Sequence, residues 1–280
     1  MTPRLRYRWL VRSAQTTRAS LGGFLFLLLI TFSLLGMGLR NAEAEPEKED
    51  FLPPPFRCLM RYYGVKPEHR DGVLWAALPN GQALPYDDGK PKSAEALLET
   101  PDLQDMFTQR YQKGPIKPVT SEQEDPGRIR VDALFSARYG MTEKQIPVVA
   151  FLLFGHRLRV HRLVEPAFVR LRARLTELTK KDPSLQPYLE GLGGTFVWRN
   201  IAGTNRRSAH SYGVSLDINV KRSHYWRWQR PPSPLRWQNQ IPQPIVDAFE
   251  AEGFIWGGRW YHYDTMHFEY RPELLDPSCY

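Results

Sequence analysis

The chain has 280 residues, of which 42% are hydrophobic and 24% are charged, and its formal net charge is +8. This composition is typical of a globular protein and excludes general disorder, and the length suits one substantial domain with or without an accessory region. Six arginines and one glutamate lie in residues 1–44. Because most of the positive charge belongs to that segment, the remainder is only mildly basic and predicts no nucleic-acid partner.

Residues 1–44 have the pattern of an export signal. Arginines precede an uncharged run over residues 21–39, and the small-x-small sequence Ala42-Glu43-Ala44 follows it. As a helix this run would be about 28 Å long, close to the hydrocarbon thickness of a bilayer. The segment is therefore either a cleaved signal peptide or a retained membrane anchor. Both interpretations place residues 45–280 outside the cytoplasm, in the periplasm or cell envelope.

The two cysteines, Cys58 and Cys279, lie at opposite ends of the exported part. In an oxidising compartment a disulfide between them would tie the two ends together, and two unpaired thiols are the alternative. No Cys-x-x-Cys pair is present, so their spacing does not indicate a metal site.

Residues 45–125 are interpreted as an accessory region and linker, because they are first acidic, then proline-rich, and offer only short elements. Thr100-Pro101 has the residue types of a helix start. Apolar residues follow at helical spacing and predict a packing face: Leu103, Met106, Phe107 and Tyr111. The catalytic domain is predicted to occupy residues 126–280.

Two scaffold helices are predicted within that domain. In residues 163–180 apolar side chains recur at steps of three and four with charged residues between them, which indicates an amphipathic helix. A second helix is predicted over residues 244–252, ending at Gly253 in the position that favours a left-handed backbone.

Residues 214–220 and 266–270 have a different period, because apolar and polar residues alternate. That alternation predicts two half-buried strands. Placed side by side, they would direct Asp217 and His267 into one cleft, which His210 would reach from the loop before Gly213. The predicted fold is therefore α+β, with a small, mainly antiparallel sheet and flanking helices.

His210, Asp217 and His267 form a set of two imidazoles and one carboxylate. This is sufficient protein ligation for a catalytic zinc ion, with a fourth position left for water. Asp264, three residues before His267, adds a carboxylate beside the set. These residues together indicate a metal-activated hydrolase.

The segments around these residues read Ser-x-His-x-x-Gly-x-x-x-Asp over residues 208–217 and Asp-x-x-His-Phe-Glu over residues 264–269. They resemble the zinc D-alanyl-D-alanine carboxypeptidase and L-alanyl-D-glutamate peptidase family, whose members cut peptidoglycan stem peptides and share the Hedgehog/DD-peptidase fold. The resemblance covers about residues 195–272 and is weak or absent before about residue 125. It implies one zinc ion, bound by His210, Asp217 and His267.

The same resemblance implies roles for further residues. Asp264 corresponds to the catalytic base, and Arg199 to an arginine that steadies a carbonyl or carboxylate of the substrate. Ser208, Glu269 and His262 are expected behind or beside the metal ligands, with Ser208 also a candidate substrate contact. Other roles stay open for three of these residues. Arg199 could be structural or simply exposed, and Glu269 and His262 could be ordinary strand or turn residues.

Two departures from the family pattern are present. Ser215 stands where the family often has alanine, and position 264 is aspartate, as in the endopeptidase branch, rather than glutamate. The bond cut stays open between D-Ala-D-Ala, L-Ala-D-Glu and a cross-bridge.

Two other functions stay open beside the peptidase. A non-catalytic zinc module that binds cell-wall peptides would use the same ligands, and a non-haem iron oxygenase also uses two histidines and a carboxylate. The oxygenase is disfavoured because six residues separate His210 from Asp217, whereas such enzymes usually place the carboxylate two residues after the first histidine.

Six of the eight tryptophans lie near the metal segments, and residues 231–244 contain five prolines. This pattern predicts a stiff, aromatic-edged loop at a groove that takes sugar or peptide. For Trp256 and Trp260, which flank two glycines, packing in the core is the competing interpretation. The other four of these six tryptophans are Trp198, Trp226, Trp228 and Trp237.

Overall fold

The computed structural model describes residues 51–229 and 234–280. The predicted signal or anchor in residues 1–44 and the first prolines of the predicted rim loop lie outside these residues. Within the described ranges, none of the helices has the length and apolar character needed to cross a bilayer.

The described chain combines helices with short antiparallel strands, in agreement with the predicted α+β class. Several of the connections between these elements contain a 3₁₀ turn. The elements are, in order, α1 (Pro54–Tyr63), β1 (Lys66–Arg70), β2 (Val73–Ala77), β3 (Ala83–Pro85), α2 (Ala94–Glu99), α3 (Asp132–Tyr139), β4 (Val148–Leu153), β5 (His156–His161), α4 (Glu165–Lys181), β6 (Ser215–Asp217), α5 (Gln243–Glu250), β7 (Phe254–Trp256), β8 (His267–Tyr270) and α6 (Pro272–Leu275).

The strands form three small antiparallel sheets. One has the order β1-β2-β3, the second is the β4-β5 hairpin, and the third has the order β6-β8-β7. In the third sheet β8 is the central strand, so its backbone pairs with β6 on one side and with β7 on the other. This sheet carries two of the three candidate metal ligands and fixes their separation.

A single hydrophobic cluster includes side chains from both sides of the predicted boundary at residue 125. Phe56 of α1, Phe168 of α4 and Phe268 of β8 are each fully buried in it. The Phe249 and Phe268 rings stack with centroids 3.8 Å apart, which joins α5 to the central strand of the third sheet. Burial of such rings contributes roughly 1.5–3 kcal/mol each.

The predicted disulfide is confirmed: Cys58 of α1 is bonded to Cys279, near the end of the chain. The bond spans 221 residues of sequence, and both cysteines are buried. It therefore holds α1 against the turn that follows α6.

The prediction of a helix that starts at Thr100-Pro101 is wrong. Thr100 instead ends α2 with a bond from its N–H to Ala96 O, and helical geometry returns only in a 3₁₀ turn at Asp105–Phe107. Asp102 and Asp105 accept hydrogen bonds from each other's backbone N–H groups, and such local bonds compete with helix formation. The predicted packing face is nevertheless buried: Leu103, Met106, Phe107 and Tyr111.

The two scaffold helices predicted in the catalytic region are confirmed. The first is α4, whose buried residues include Phe168, Leu171 and Leu175. The second is α5, which is followed by Gly253 at a φ of 92°, a left-handed value that only glycine adopts freely.

Candidate metal centre

His210 is held by a tight 3₁₀ turn, Ala209–Tyr212. The Ser208 side chain caps the start of the turn by accepting the His210 N–H, and Gly213 ends it at a φ of 66°. A Cβ atom at Gly213 would lie 3.0 Å from the backbone nitrogen of His161. Glycine is therefore required both by the backbone angle and by the close approach of β5.

Asp217 and His267 are direct partners in the β6-β8 ladder. Since side chains of paired residues lie on the same face of a sheet, the register brings the carboxylate and the imidazole together. This confirms the convergence predicted from the alternating patterns. Ser215 is fully buried on β6 and its Oγ has no partner in the described part of the chain, which is consistent with a position that also suits alanine.

Three ligand-type atoms meet at one point. His210 Nε2 lies 3.2 Å from His267 Nδ1, and Asp217 Oδ1 lies 3.1 Å from the former and 2.9 Å from the latter. In a tetrahedral zinc site with bonds of about 2.0–2.1 Å, ligand atoms are roughly 3.3 Å apart. The observed triangle is only slightly smaller, so the three residues fit a metal ion with little movement.

Hydrogen bonds behind the two imidazoles select the atoms that face this point. His210 Nδ1 lies 2.7 Å from Thr195 O, and because a carbonyl only accepts, Nδ1 is the donor and Nε2 is left to coordinate. His267 has the opposite orientation: its Nδ1 faces the centre and its Nε2 lies 3.5 Å from Glu269 Oε2. Partners of this kind fix the ring orientation of metal-binding histidines.

The charges within the triangle are strongly coupled. Burial raises the pKa of Asp217, but the charges and hydrogen bonds of His210 and His267 outweigh it and hold the pKa well below its ordinary value. Burial lowers the pKa of His267, but the hydrogen bonds to Asp217 and Glu269 outweigh it and raise the pKa to about 10. A cation is therefore strongly favoured at this point, and a metal ion would replace a proton there.

Asp264 lies on the turn that leads into β8. Its Oδ1 is buried without a hydrogen-bond partner in the described residues. Burial, with the negative charge of Asp217, raises the pKa of Asp264 to about 7. The turn approaches Gly257 so closely that a Cβ there would lie 2.5 Å from Asp264 O, so Gly257 permits the position of the carboxylate.

Behind His267 lies a buried network of ion pairs that sequence reasoning missed. Glu269 Oε1 lies 3.4 Å from both Arg130 Nη1 and Arg271 Nη1, and Arg271 Nε lies 2.5 Å from Glu273 Oε1. Burial raises the pKa of Glu269, but the charge of Arg130 and the bond to His267 lower it well below its usual value. The charged state of Glu269 therefore orients His267.

The other residues singled out from the sequence fall at different places. Arg199 is exposed and lines the cleft beside the centre. Ser208 is buried and serves as a cap of the His210 turn. His262 also lines the cleft, but its Nδ1 lies 2.7 Å from Asp125 Oδ2 and its ring packs against Trp226 rather than against a ligand.

The centre opens into a cleft of about 480 Å³. Tyr225, Trp226 and Trp228 form part of its wall, and Trp228 is 54% exposed. Trp256, in contrast, is fully buried, so for this residue the core interpretation is confirmed. Trp260 is only 7% exposed and packs in the core, but it also lines the cleft. The aromatic edge of the cleft comes from residues 225–228 rather than from the proline-rich segment alone.

A sequence model of the family described as D-alanyl-D-alanine carboxypeptidase matches residues 202–270. This segment contains the His210 turn, Asp217, Asp264 and His267. The match covers about a quarter of the chain, and residues 202–270 are similar to the D-alanyl-D-alanine carboxypeptidase family. No curated protein and no solved structure matches the chain.

The similarity of this segment supports a peptidase that acts on D-Ala-D-Ala-type cell-wall peptides. The segment's three clustered side chains have the types and spacing of a metal site. The Asp264 carboxylate, one oxygen of which is buried without a hydrogen-bond partner in the described residues, lies beside them, and a cleft of peptide-binding size opens onto both.

Proposed function

We propose that this chain is an exported, zinc-dependent peptidase that hydrolyses peptide bonds in peptidoglycan stem peptides. The observation that carries the proposal is the triangle of His210 Nε2, Asp217 Oδ1 and His267 Nδ1, with edges of 2.9–3.2 Å. The family match over residues 202–270 supports it, and the Cys58–Cys279 disulfide agrees with an oxidising compartment.

In the proposed site, zinc is held by His210, Asp217 and His267. When bound, zinc lowers the pKa of a coordinated water to about 7 and polarises a substrate carbonyl. The contact between Thr195 O and His210 Nδ1, and that between Glu269 and His267 Nε2, keep the coordinating nitrogens directed to the centre. The negative charge of Asp217 balances part of the positive charge of the ion.

Asp264 is the proposed general base. Its Oδ1 has no hydrogen-bond partner in the described residues, so this oxygen is free to accept a proton from the attacking water and to pass it to the leaving amine. A pKa of about 7 is suited to both steps near neutral pH, because a base works best when its pKa lies near the working pH. The charge of a bound metal would lower this pKa and favour the base form.

Arg199 is proposed to bind a carbonyl or carboxylate oxygen of the substrate. It lines the cleft, is exposed, and makes no ion pair with any residue of the described ranges. Its guanidinium is therefore available to a substrate oxygen, and charge-assisted bonds of this kind are the stronger class of hydrogen bond.

The deciding experiment incubates the purified chain from residue 45 onward with muropeptides and identifies the products by mass, beside the Asp264→Ala variant. We expect a peptide product from the wild type only. No product from either protein, with tight muropeptide binding, would replace the peptidase with a binding module. Stoichiometric iron with oxygen uptake would replace it with an oxygenase, and equal product from both proteins would remove Asp264 as the base.

A further inference from the structure

Arg206 carries a buried guanidinium that forms no ion pair with a carboxylate in the described part of the chain. It is only 8% exposed, and it makes no ion pair with any residue in 51–229 or 234–280. Among the described residues its one side-chain hydrogen bond runs from Nη2 to Arg128 O, at 2.7 Å. A buried charge is costly unless it is paired, so an uncompensated arginine at this depth requires an explanation.

The surroundings of Arg206 increase this cost. Burial, with the like charges of Arg130 and Arg128, lowers the pKa of Arg206 to about 10. Asp132 is the acid that acts most strongly on it, but the Asp132 carboxylate is already bound by Arg130 and by the N–H of Arg207. Glu99 is the next acid that acts on Arg206, but neither carboxylate forms an ion pair with Arg206 in the described part of the chain.

Arg206 lines the same cleft as the metal centre. Beyond the centre itself, Glu99 is the only acid among the lining residues of the described chain, whereas three lining arginines lack a carboxylate partner. These arginines are Arg199, Arg206 and Arg227. This part of the cleft is therefore cationic, which favours an anionic group of the ligand.

The turn that carries Arg206 is rigidly fixed. Ile201 N–H donates to Arg206 O, and Asn200 and Arg207 form an isolated bridge. Arg227 Nη1 donates to Ala202 O at 2.6 Å, and an arginine from outside the turn, Arg130, donates to Arg207 O. Because these bonds hold the backbone at both ends, the position of the guanidinium is built before any ligand arrives.

We propose that Arg206 is a specificity-determining residue that binds a carboxylate of the substrate peptide, one that the reaction leaves unchanged. The ligand class is an acidic peptide, and this inference rests on the proposed function because it names a substrate feature of the same cleft. Such a carboxylate comes either from an internal acidic residue or from the free C-terminus of the peptide. The buried, pre-placed guanidinium is suited to two parallel hydrogen bonds with either one.

The test uses three synthetic stem pentapeptides: one with all carboxylates free, one amidated at its internal carboxylates, and one amidated at its C-terminus. Their dissociation constants are measured by calorimetry on the zinc-loaded Asp264→Asn protein, with and without Arg206→Gln. KM and kcat are measured with Asp264 intact. We expect one amidated peptide to bind about tenfold to a hundredfold more weakly than the free acid, and Arg206→Gln to abolish that difference. Which amidation has the effect identifies the source of the carboxylate.

Two further variants keep the test decisive. Arg157→Gln, an exposed arginine on β5, should leave the discrimination unchanged. Arg206→Lys keeps the charge but cannot form two parallel hydrogen bonds, so it should retain only part of the discrimination. If Arg206→Gln shows no cooperative thermal unfolding transition and is therefore not folded, the result for Arg206→Lys takes its place. Full discrimination in a folded Arg206 variant, or none in the wild type, would overturn the inference.

The outcomes separate this inference from the proposed function. Carboxylate-dependent binding that needs Arg206, without cleavage of any peptide, would remove the peptidase and keep the carboxylate site. Cleavage of all three peptides with equal KM would keep the peptidase and remove the carboxylate site.

Discussion

Three groups of side chains among the described residues place three ligand-type atoms within 4.8 Å of one another. One group contains the disulfide-bonded Cys58 and Cys279, and the other two differ in how their charge is balanced. One is the metal centre, and the other contains Asp88 and Asp102 near α2. In the second, Lys92 Nζ lies 3.0 Å from Asp88 Oδ1 and 2.7 Å from both Asp102 Oδ2 and Asp105 Oδ2. The Lys92 side chain is 7% exposed, so the protein supplies its own cation there.

The candidate metal centre has imidazoles, rather than a lysine, beside its carboxylate. In the described part of the chain, no lysine or arginine forms an ion pair with Asp217, and its partners are two imidazoles. Burial lowers the pKa of Lys92, but its three carboxylate bonds raise it above its usual value, so that cluster stays paired at all physiological pH values. The comparison teaches that the number of acidic residues does not identify a candidate metal centre. The distinguishing feature is that no lysine or arginine of the described residues pairs with its carboxylate.

The largest expected effect is the loss of a ligand from the metal centre. His267→Ala should lose the bound metal and reduce kcat/KM about a thousandfold or more, since metal catalysis supplies several kcal/mol of barrier reduction. Metal content by mass spectrometry and hydrolysis of muropeptides check this. Lys92→Met is the matched variant in the other cluster and should leave the metal content of the folded protein unchanged. Loss of metal in both variants would remove the distinction.

Asp264→Asn should retain the metal but lower kcat about a hundredfold to ten-thousandfold, the usual contribution of a general base. The amide has nearly the same shape as the carboxylate but cannot accept the proton. Single-turnover hydrolysis and metal content, measured on one preparation, check the split between chemistry and metal binding. An unchanged kcat would show that another group takes the proton.

Lys92→Met should lower the free energy of unfolding by about 3–5 kcal/mol, because it leaves buried carboxylates without their counter-charge. Urea unfolding at neutral pH, with zinc present throughout, measures this. Lys180→Met is the surface control, since Lys180 pairs with Glu177 where both side chains are more than 60% exposed, and its effect should be below about 1 kcal/mol. Equal effects of the two variants would show that the Lys92 cluster is not structural.

Asp264 should also make the metal-free protein less stable as pH rises. Its folded pKa of about 7 lies above the unfolded value of about 3.9. The folded state therefore binds more protons between these values, and stability present below pH 4 is lost as pH rises to 7. In the presence of chelator, Asp264→Asn should remove this loss, which is on the order of 3 kcal/mol. Thermal unfolding from pH 4 to 8 checks it; a wild-type stability that rises over this range would contradict it.

The parts of the site that follow from short-range pattern were predictable from the sequence. The alternation around Asp217 and His267 fixes which side chains share a face, and strand pairing then brings them together. The Cys58–Cys279 pair was predictable because two cysteines that follow a predicted export signal favour a disulfide. These inferences need only the period of a strand and the redox state of a compartment.

The parts that depend on distant packing were not predictable. Arg130 lies 139 residues before Glu269, and no local pattern connects them. The carbonyl of Thr195 that orients His210 belongs to the backbone, so its residue type carries no signal. The helix predicted from Thr100 was lost because Asp102 and Asp105 bind each other's N–H groups and the buried Lys92. The sequence does contain a signal for this cluster, because Lys92 is close in sequence to three acidic residues that could pair with it: Asp88, Asp102 and Asp105.

The most direct test of the central claim is X-ray absorption at the zinc edge on the purified protein, with Asp217→Asn as its partner sample. The account predicts one zinc per chain, bound by two imidazole nitrogens and a carboxylate oxygen at about 2.0–2.2 Å, and altered or lost coordination in Asp217→Asn. Iron in place of zinc, zinc bound by other ligands, or an unchanged spectrum in Asp217→Asn would contradict it.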